Sequence, residues 1–107
     1  MTYRVFVLKD AEQDILELYE YVARYDSITK ADKLIDKIEE KCKSLSQYAN
    51  RGHIPPELDR VSIHNYLEIH YKPYRIIYQI LDKNVFIHCI LDSRRDLKEL
   101  LHGRLLR

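Results

Sequence analysis

The feature that most constrains this chain is a change of hydrophobic period near its middle. From residue 11 to 47 the apolar residues recur every three or four positions, and from 61 to 91 the pattern is alternating. The first pattern is that of amphipathic helices and the second that of strands. Ile15, Leu18, Tyr19 and Val22 form one helical stripe. Ala31, Leu34, Ile35, Ile38, Cys42 and Leu45 form another, with Asp32, Lys33, Asp36, Lys37, Glu40 and Lys41 on the remaining surface. With only residues 25–28 between them, the two helices are expected to form an antiparallel hairpin.

Local signals give the boundaries. Residues 3–8 (YRVFVL) are aromatic and β-branched, and predict a short first strand. Asp10 with Gln13 reads as a capping box for a helix over 11–24, and Thr29 with Asp32 as one for the second helix. Asn50, Gly52, Pro55 and Pro56 mark residues 48–59 as a loop. Residues 61–71 alternate, placing Leu67, Ile69 and Tyr71 on one face and Tyr66, Glu68 and His70 on the other, until Pro73 ends the run. Residues 74–81 and 85–91 predict two more strands, joined by a turn at 82–84. The last is apolar on both faces, as a central strand would be. Ser93 with Asp96 reads as the cap of a final helix, with Leu97, Leu100, Leu101 and Leu105 as its apolar stripe. Arg94, Arg95, Lys98, His102, Arg104 and Arg107 give this segment a basic remainder. The expected fold is therefore α+β, in the order β-α-α-β-β-β-α, with an antiparallel sheet packed on the helical hairpin.

Size and composition narrow the function. The 107 residues suit a single domain spanning 1–107. No apolar run approaches a membrane span, and the first residues do not read as a signal peptide, so a cytoplasmic location is expected. Two glycines cannot build a phosphate-cradling loop, and no cofactor is expected. Cys42 and Cys89 lack metal or disulfide spacing and are expected to be buried. His53, His64, His70, His88 and His102 form no helical ligand pair. His64 and His70 would share a strand face roughly 20 Å apart, so no metal is expected.

Charge is more informative. Residues 1–59 carry 9 Lys+Arg against 12 Asp+Glu, whereas residues 60–107 carry 9 against 5. A basic C-terminal half suits an acidic partner, RNA or protein. Arg75 is expected on the sheet face away from Tyr74, Ile76, Tyr78 and Ile80, with Arg94 and Arg95 just after the last strand. Guanidinium groups there suit phosphates or carboxylates. The alternative for Arg94 and Arg95 is a local ion pair with Asp92 or Asp96. Most of the nine tyrosines, Tyr19 and Tyr78 among them, are expected in the core.

Four segments carry a family resemblance: YRVFVLKDAEQDILELYEYV at 3–22, RGHIPPEL at 51–58, KPYRIIYQI at 72–80, and ILDSRRDLKELLHGRLLR at 90–107. Over nearly its whole length the chain resembles toxins of the RelE/ParE superfamily of type II toxin–antitoxin systems, proteins tied to growth inhibition and plasmid stabilisation. The resemblance implies the element order above and a cognate antitoxin whose C-terminal segment wraps the toxin. RelE-like toxins cut mRNA on the ribosome, using basic residues on phosphate and an acid–base pair. ParE-like toxins inhibit DNA gyrase. Arg75 and Arg94 fall at the two arginines of RelE-like toxins, but Leu100 falls near the RelE-like tyrosine, and Lys72 is the only lysine close before the PYRIIY strand. His88 or Glu68 would have to supply a base. The resemblance is therefore closer to ParE, implying a gyrase inhibitor with no catalytic group of its own, and a functional basic cluster of Arg75, Arg94, Arg95, Lys98 and Arg104. The alternative is a ribosome-dependent mRNA endonuclease.

Overall fold

The computed structural model describes residues 2–105, with Leu105 described by its backbone alone; the Leu105 side chain and Arg107 of the expected stripe and basic surface lie outside it. The order is β1 (Arg4–Val7), α1 (Lys9–Tyr25), α2 (Ile28–Ser44), α3 (Pro56–Asp59), β2 (Leu67–Tyr71), β3 (Tyr74–Leu81), β4 (Asn84–Asp92) and α4 (Leu97–Leu105). The strands form one sheet in the order β1-β4-β3-β2. β2, β3 and β4 are antiparallel, as expected, and β1 adds to β4 in parallel. The α1–α2 hairpin lies between β1 and the rest of the sheet in sequence, and serves as the long crossover that a parallel pair needs. β4 is an interior strand, consistent with its two apolar faces.

Helix starts differ from the sequence reading for local reasons. Leu8 donates its N–H to Ile87 O as the last rung of the β1–β4 pairing, and the chain turns at once into α1. Leu8 is thus the N-cap, no side chain caps this helix, and Asp10 lies inside the first turn. α2 begins before Thr29 because Ser27 Oγ accepts from Lys30 N at 3.1 Å. Ser93 does not cap α4. Asp96 Oδ1 accepts from Lys98 N at 2.9 Å and Glu99 N at 3.4 Å, three residues after Ser93 and directly before Leu97. The expected loop at 48–59 contains a 3-10 turn at Ala49–Arg51 and the short α3. The second half of the expected strand over 61–71 forms as β2, whereas Val61, Ser62 and Ile63 send their N–H groups back to Leu58 and Asp59 and cannot extend.

A shift of register decides which β4 residues enter each of the two cores. Ile77 pairs with Cys89 but Tyr78 pairs with Ile87, so His88 is an extra residue on β4. The bulge reverses the alternation of β4. Val85, Ile87 and Ile90 therefore all face the hairpin, where they join Ala11, Ile38, Cys42, Leu45, Ile76 and Tyr78. Cys89 and Leu91 face the other way, and meet Leu58, Tyr66, Ile77, Leu97 and Leu101. Helices accordingly cover both faces: α1 and α2 one, α3 and α4 the other. Tyr19 is not a core residue; its hydroxyl donates to Asp32 at 2.8 Å and ties α1 to α2. Among the described residues no helix is long and apolar enough to cross a membrane.

Buried Tyr78 sets the position of the segment before α3. Its hydroxyl donates to Ala49 O at 2.7 Å and accepts from Gly52 N at 3.2 Å. A Cβ on Gly52 would lie 2.5 Å from that hydroxyl and 2.7 Å from Glu68 O, whereas one on Gly103 would meet nothing within 4 Å. Gly52→Ala is expected to cost about 1–3 kcal/mol through overpacking. Gly103→Ala, inside α4, is expected to add up to about 1 kcal/mol through helix propensity. Urea unfolding of the two variants beside the parent checks both signs.

Candidate functional site

Arg75 belongs to β3 and points to the sheet face away from the hairpin, as the alternation requires. It does not meet solvent there: the residue is 7% exposed. Its Nε donates to Glu68 Oε1 at 2.8 Å and its Nη2 to Glu68 Oε2 at 3.1 Å. Nη1 and Nη2 also donate to the two oxygens of Glu57, at 2.8 and 2.6 Å. Both carboxylates are thus held by one guanidinium, a planar donor fork that suits bidentate pairing. Sheet register explains Glu68, which lies two residues before His70, and His70 is the cross-strand partner of Arg75. Glu57 arrives from α3, which the Pro55–Pro56 pair starts at its first turn. Hydrogen bonding to Arg75 holds the Glu57 carboxyl below its ordinary range, and hydrogen bonding to Glu57 keeps Arg75 charged.

Two histidines stand at the rim of this ion cluster. His70 Nε2 lies 2.6 Å from Glu68 Oε1 and His53 Nε2 lies 3.6 Å from Glu68 Oε2. The two rings meet edge to face with centroids 5.4 Å apart. Together with Arg60 and Ser93 these groups line an open hollow. The ligand atoms of His53, Glu68 and His70 all lie within 4.8 Å of one another. Periodicity could not find this grouping, because His53 comes from the loop and reaches β2 only through an isolated backbone bridge to Glu68.

The expected basic cluster is divided. Arg104 is turned inward, donating to Asp14 on α1 and, at 2.8 Å, to His88 O on β4, with Asp10 at 3.9 Å. Arg94 is exposed and folds back on Asp92, with Nε 3.0 Å from Oδ1 and Nη2 3.2 Å from Oδ2, the local pair weighed in the sequence. Arg95 and Lys98 are exposed, with no ion pair seen to either among the described residues. Arg95 lines a hollow with Leu100 and Arg104, and another with Tyr21, Tyr74 and Arg94. Lys98 borders a more apolar hollow with Leu58, Val61, Ile63, Tyr66 and Leu101. Arg75 and Arg104 are therefore internal, and the solvent-facing cations are Arg94, Arg95 and Lys98.

Chemistry at the remaining candidates is limited by burial. Cys42 and Cys89 are buried, as expected, and burial pushes both thiols up to about 12, far from the reactive thiolate. His88 contacts Gln79 Oε1 at 2.6 Å, and its pKa is lowered by burial and then by Arg104.

The sequence matches the family model described as the ParE toxin of the type II toxin–antitoxin system parDE over residues 5–97. No curated protein matches it. Among solved structures, the chromosomal ParDE system from P. aeruginosa is similar with a TM-score of 0.72 at 20% identity, covering 85% of this chain and 96% of that one. The RelBE2 toxin–antitoxin complex from Mycobacterium tuberculosis is similar with a TM-score of 0.64 at 18% identity, covering 86% and 99%. At these identities the structural likenesses speak to the fold.

Acid should weaken the fold in two stages. The folded-state pKa of His88 is depressed, so its share of stability is intact above the ordinary 6.5 and is lost as pH falls from there through the folded value. Depressed Glu57 contributes above its ordinary 4.5 and loses that contribution as pH falls through its own folded value. Urea unfolding across pH is expected to show both declines in the parent and only the more acidic one in His88→Gln.

Proposed function

Because the chain belongs to the ParE toxin family of type II toxin–antitoxin systems, we propose that it acts in the cytoplasm on DNA gyrase, trapping the enzyme on cleaved DNA, and that a cognate antitoxin silences it. The observation that carries this choice of target is the enclosure of Arg75 by Glu57 and Glu68. A buried guanidinium already matched by two carboxylates has no charge to spare for an RNA phosphate. Neither base suggested by the sequence is well placed: Glu68 is 1% exposed and bound to Arg75, and His88 is hydrogen-bonded to Gln79. A protein that binds its target and performs no chemistry needs none of these groups.

Contact with gyrase falls to the solvent-facing cations Arg94, Arg95 and Lys98 at the start of α4, which suit an acidic surface or DNA phosphates. The antitoxin falls to the hairpin. Leu16, Tyr21, Tyr25 and Ile28 are 49, 63, 69 and 65% exposed, an apolar face that an amphipathic segment would cover. The RelE-type alternative, ribosome-dependent mRNA cleavage, has one observation in its favour, the short His70–Glu68 contact beside Arg75.

Purified protein incubated with gyrase, ATP and supercoiled plasmid is expected to yield linear, protein-linked plasmid, while mRNA on programmed ribosomes stays intact. Arg95→Glu/Lys98→Glu is expected to lower plasmid linearisation with its unfolding free energy unchanged. Cut mRNA with unaffected gyrase would contradict the reading.

A further inference from the structure

Glu68 is the counter-ion of Arg75, but the gathering of His53 and His70 around it is not explained by that pairing. Two imidazoles and one carboxylate make a donor set for a divalent transition-metal ion of the zinc class. We propose that these three side chains form a zinc-class metal site on the sheet face opposite the α1–α2 hairpin.

Backbone geometry holds the three donors in place. His53 and Glu68 exchange backbone hydrogen bonds, with His53 N to Glu68 O at 3.1 Å and Glu68 N to His53 O at 2.8 Å. His70, two residues along β2, projects from the same face as Glu68. Gly52, packed under the Tyr78 hydroxyl and the Glu68 carbonyl, fixes the approach of the His53 segment. Three separate restraints therefore converge on one point, and none involves the toxin's expected partners.

The ion's requirements are met by what surrounds the donors. Donors about 2.0–2.2 Å from one ion in a tetrahedral site stand about 3.3–3.6 Å apart. The spacings here run from 2.6 Å to within 4.8 Å, so the two rings shift by about an ångström to reach that geometry. They are free to do so, since the His53 and His70 side chains are 59% and 44% exposed. Glu68 is the fixed member, buried and anchored by Arg75. Each carboxylate oxygen has two lone pairs, so the oxygen that accepts from Arg75 retains one for the metal. Arg75 then acts as the outer hydrogen-bond partner that orients a metal ligand. Its charge is no obstacle, because Glu57 and Glu68 together exceed it by one negative charge and favour a cation. On binding, His70 Nε2 exchanges its contact with Glu68 for the ion, and any proton there passes to solvent. The exposed rim leaves the remaining coordination positions open to water.

The test is calorimetric titration of the full-length chain with Zn2+ in metal-free buffer, repeated with Co2+ to read its visible absorption. Single-equivalent, saturable Zn2+ binding is expected, with Co2+ giving the intense bands of a low-coordinate site. Loss of a ligand is expected to cost at least the tenfold or so that loss of an outer partner costs. His53→Ala and His70→Ala should therefore each weaken binding by about tenfold or more, and the double variant should abolish it. His64→Ala and His102→Ala, which alter histidines elsewhere on the surface, should leave it unchanged. Zn2+ should raise the thermal midpoint of the parent but not of the double variant, whose fold is checked by circular dichroism. No saturable binding, or binding that survives in the double variant, would overturn the proposal. These readouts are independent of gyrase and mRNA, so the site and the target stand or fall separately.

Discussion

The arrangement on the outer face of the sheet depends on one charge, Arg75, taken almost wholly out of water. A buried guanidinium is tolerable only when its donors are matched, and here Glu57 and Glu68 match them from two directions. The consequence is long-range. Glu57 can reach Arg75 only if α3 lies over the end of the sheet, and α3 in turn packs against α4 through Leu58, Leu97 and Leu101. A single ion cluster thereby joins β2, β3 and α3, and settles where the segment carrying His53 must run.

Two further constraints complete the fold. The bulge at His88 switches the sides of β4 partway along, so that Ile87 and Ile90 both face the hairpin while Cys89 and Leu91 face α4. Arg104 then closes the opposite side, reaching from α4 past the bulged His88 carbonyl to Asp14 on α1. Asp14 also accepts from the Ile90 N–H at 2.9 Å, so α1, β4 and α4 share one carboxylate. Arg75 and Arg104 are thus spent on architecture. Of the five cations expected to act together, those still facing solvent are Arg94, Arg95 and Lys98, just before α4 and along its first turn.

Sequence pattern revealed most of the elements because the period changes cleanly from helical to alternating. The hairpin, the 74–81 strand and the interior place of the last strand all follow from apolar spacing. What spacing cannot express is a contact between distant segments. It placed Arg75 on the correct face but could not see Glu57, 18 residues earlier, closing over it. It offered Ser93 as a cap because serine three residues before aspartate is a common start, whereas the chain at 93–96 makes a turn and Asp96 itself caps α4. It counted five histidines and missed that a loop histidine and a strand histidine converge on one buried glutamate. Arg94 shows the reverse: its partner Asp92 is two residues away, and the pair was legible.

Arg75 is held as an internal counter-ion, and the proposed function gives it no part in binding RNA. Unfolding free energy and growth arrest measured on Arg75→Met and on the charge-free Glu57→Gln/Glu68→Gln/Arg75→Met protein test it directly. Breaking the cluster by removing Arg75 alone is expected to cost about 3–5 kcal/mol. The charge-free protein is expected to recover most of that stability and to arrest growth like the parent. Parental stability in Arg75→Met with growth arrest abolished would contradict the account, and would put Arg75 at the target.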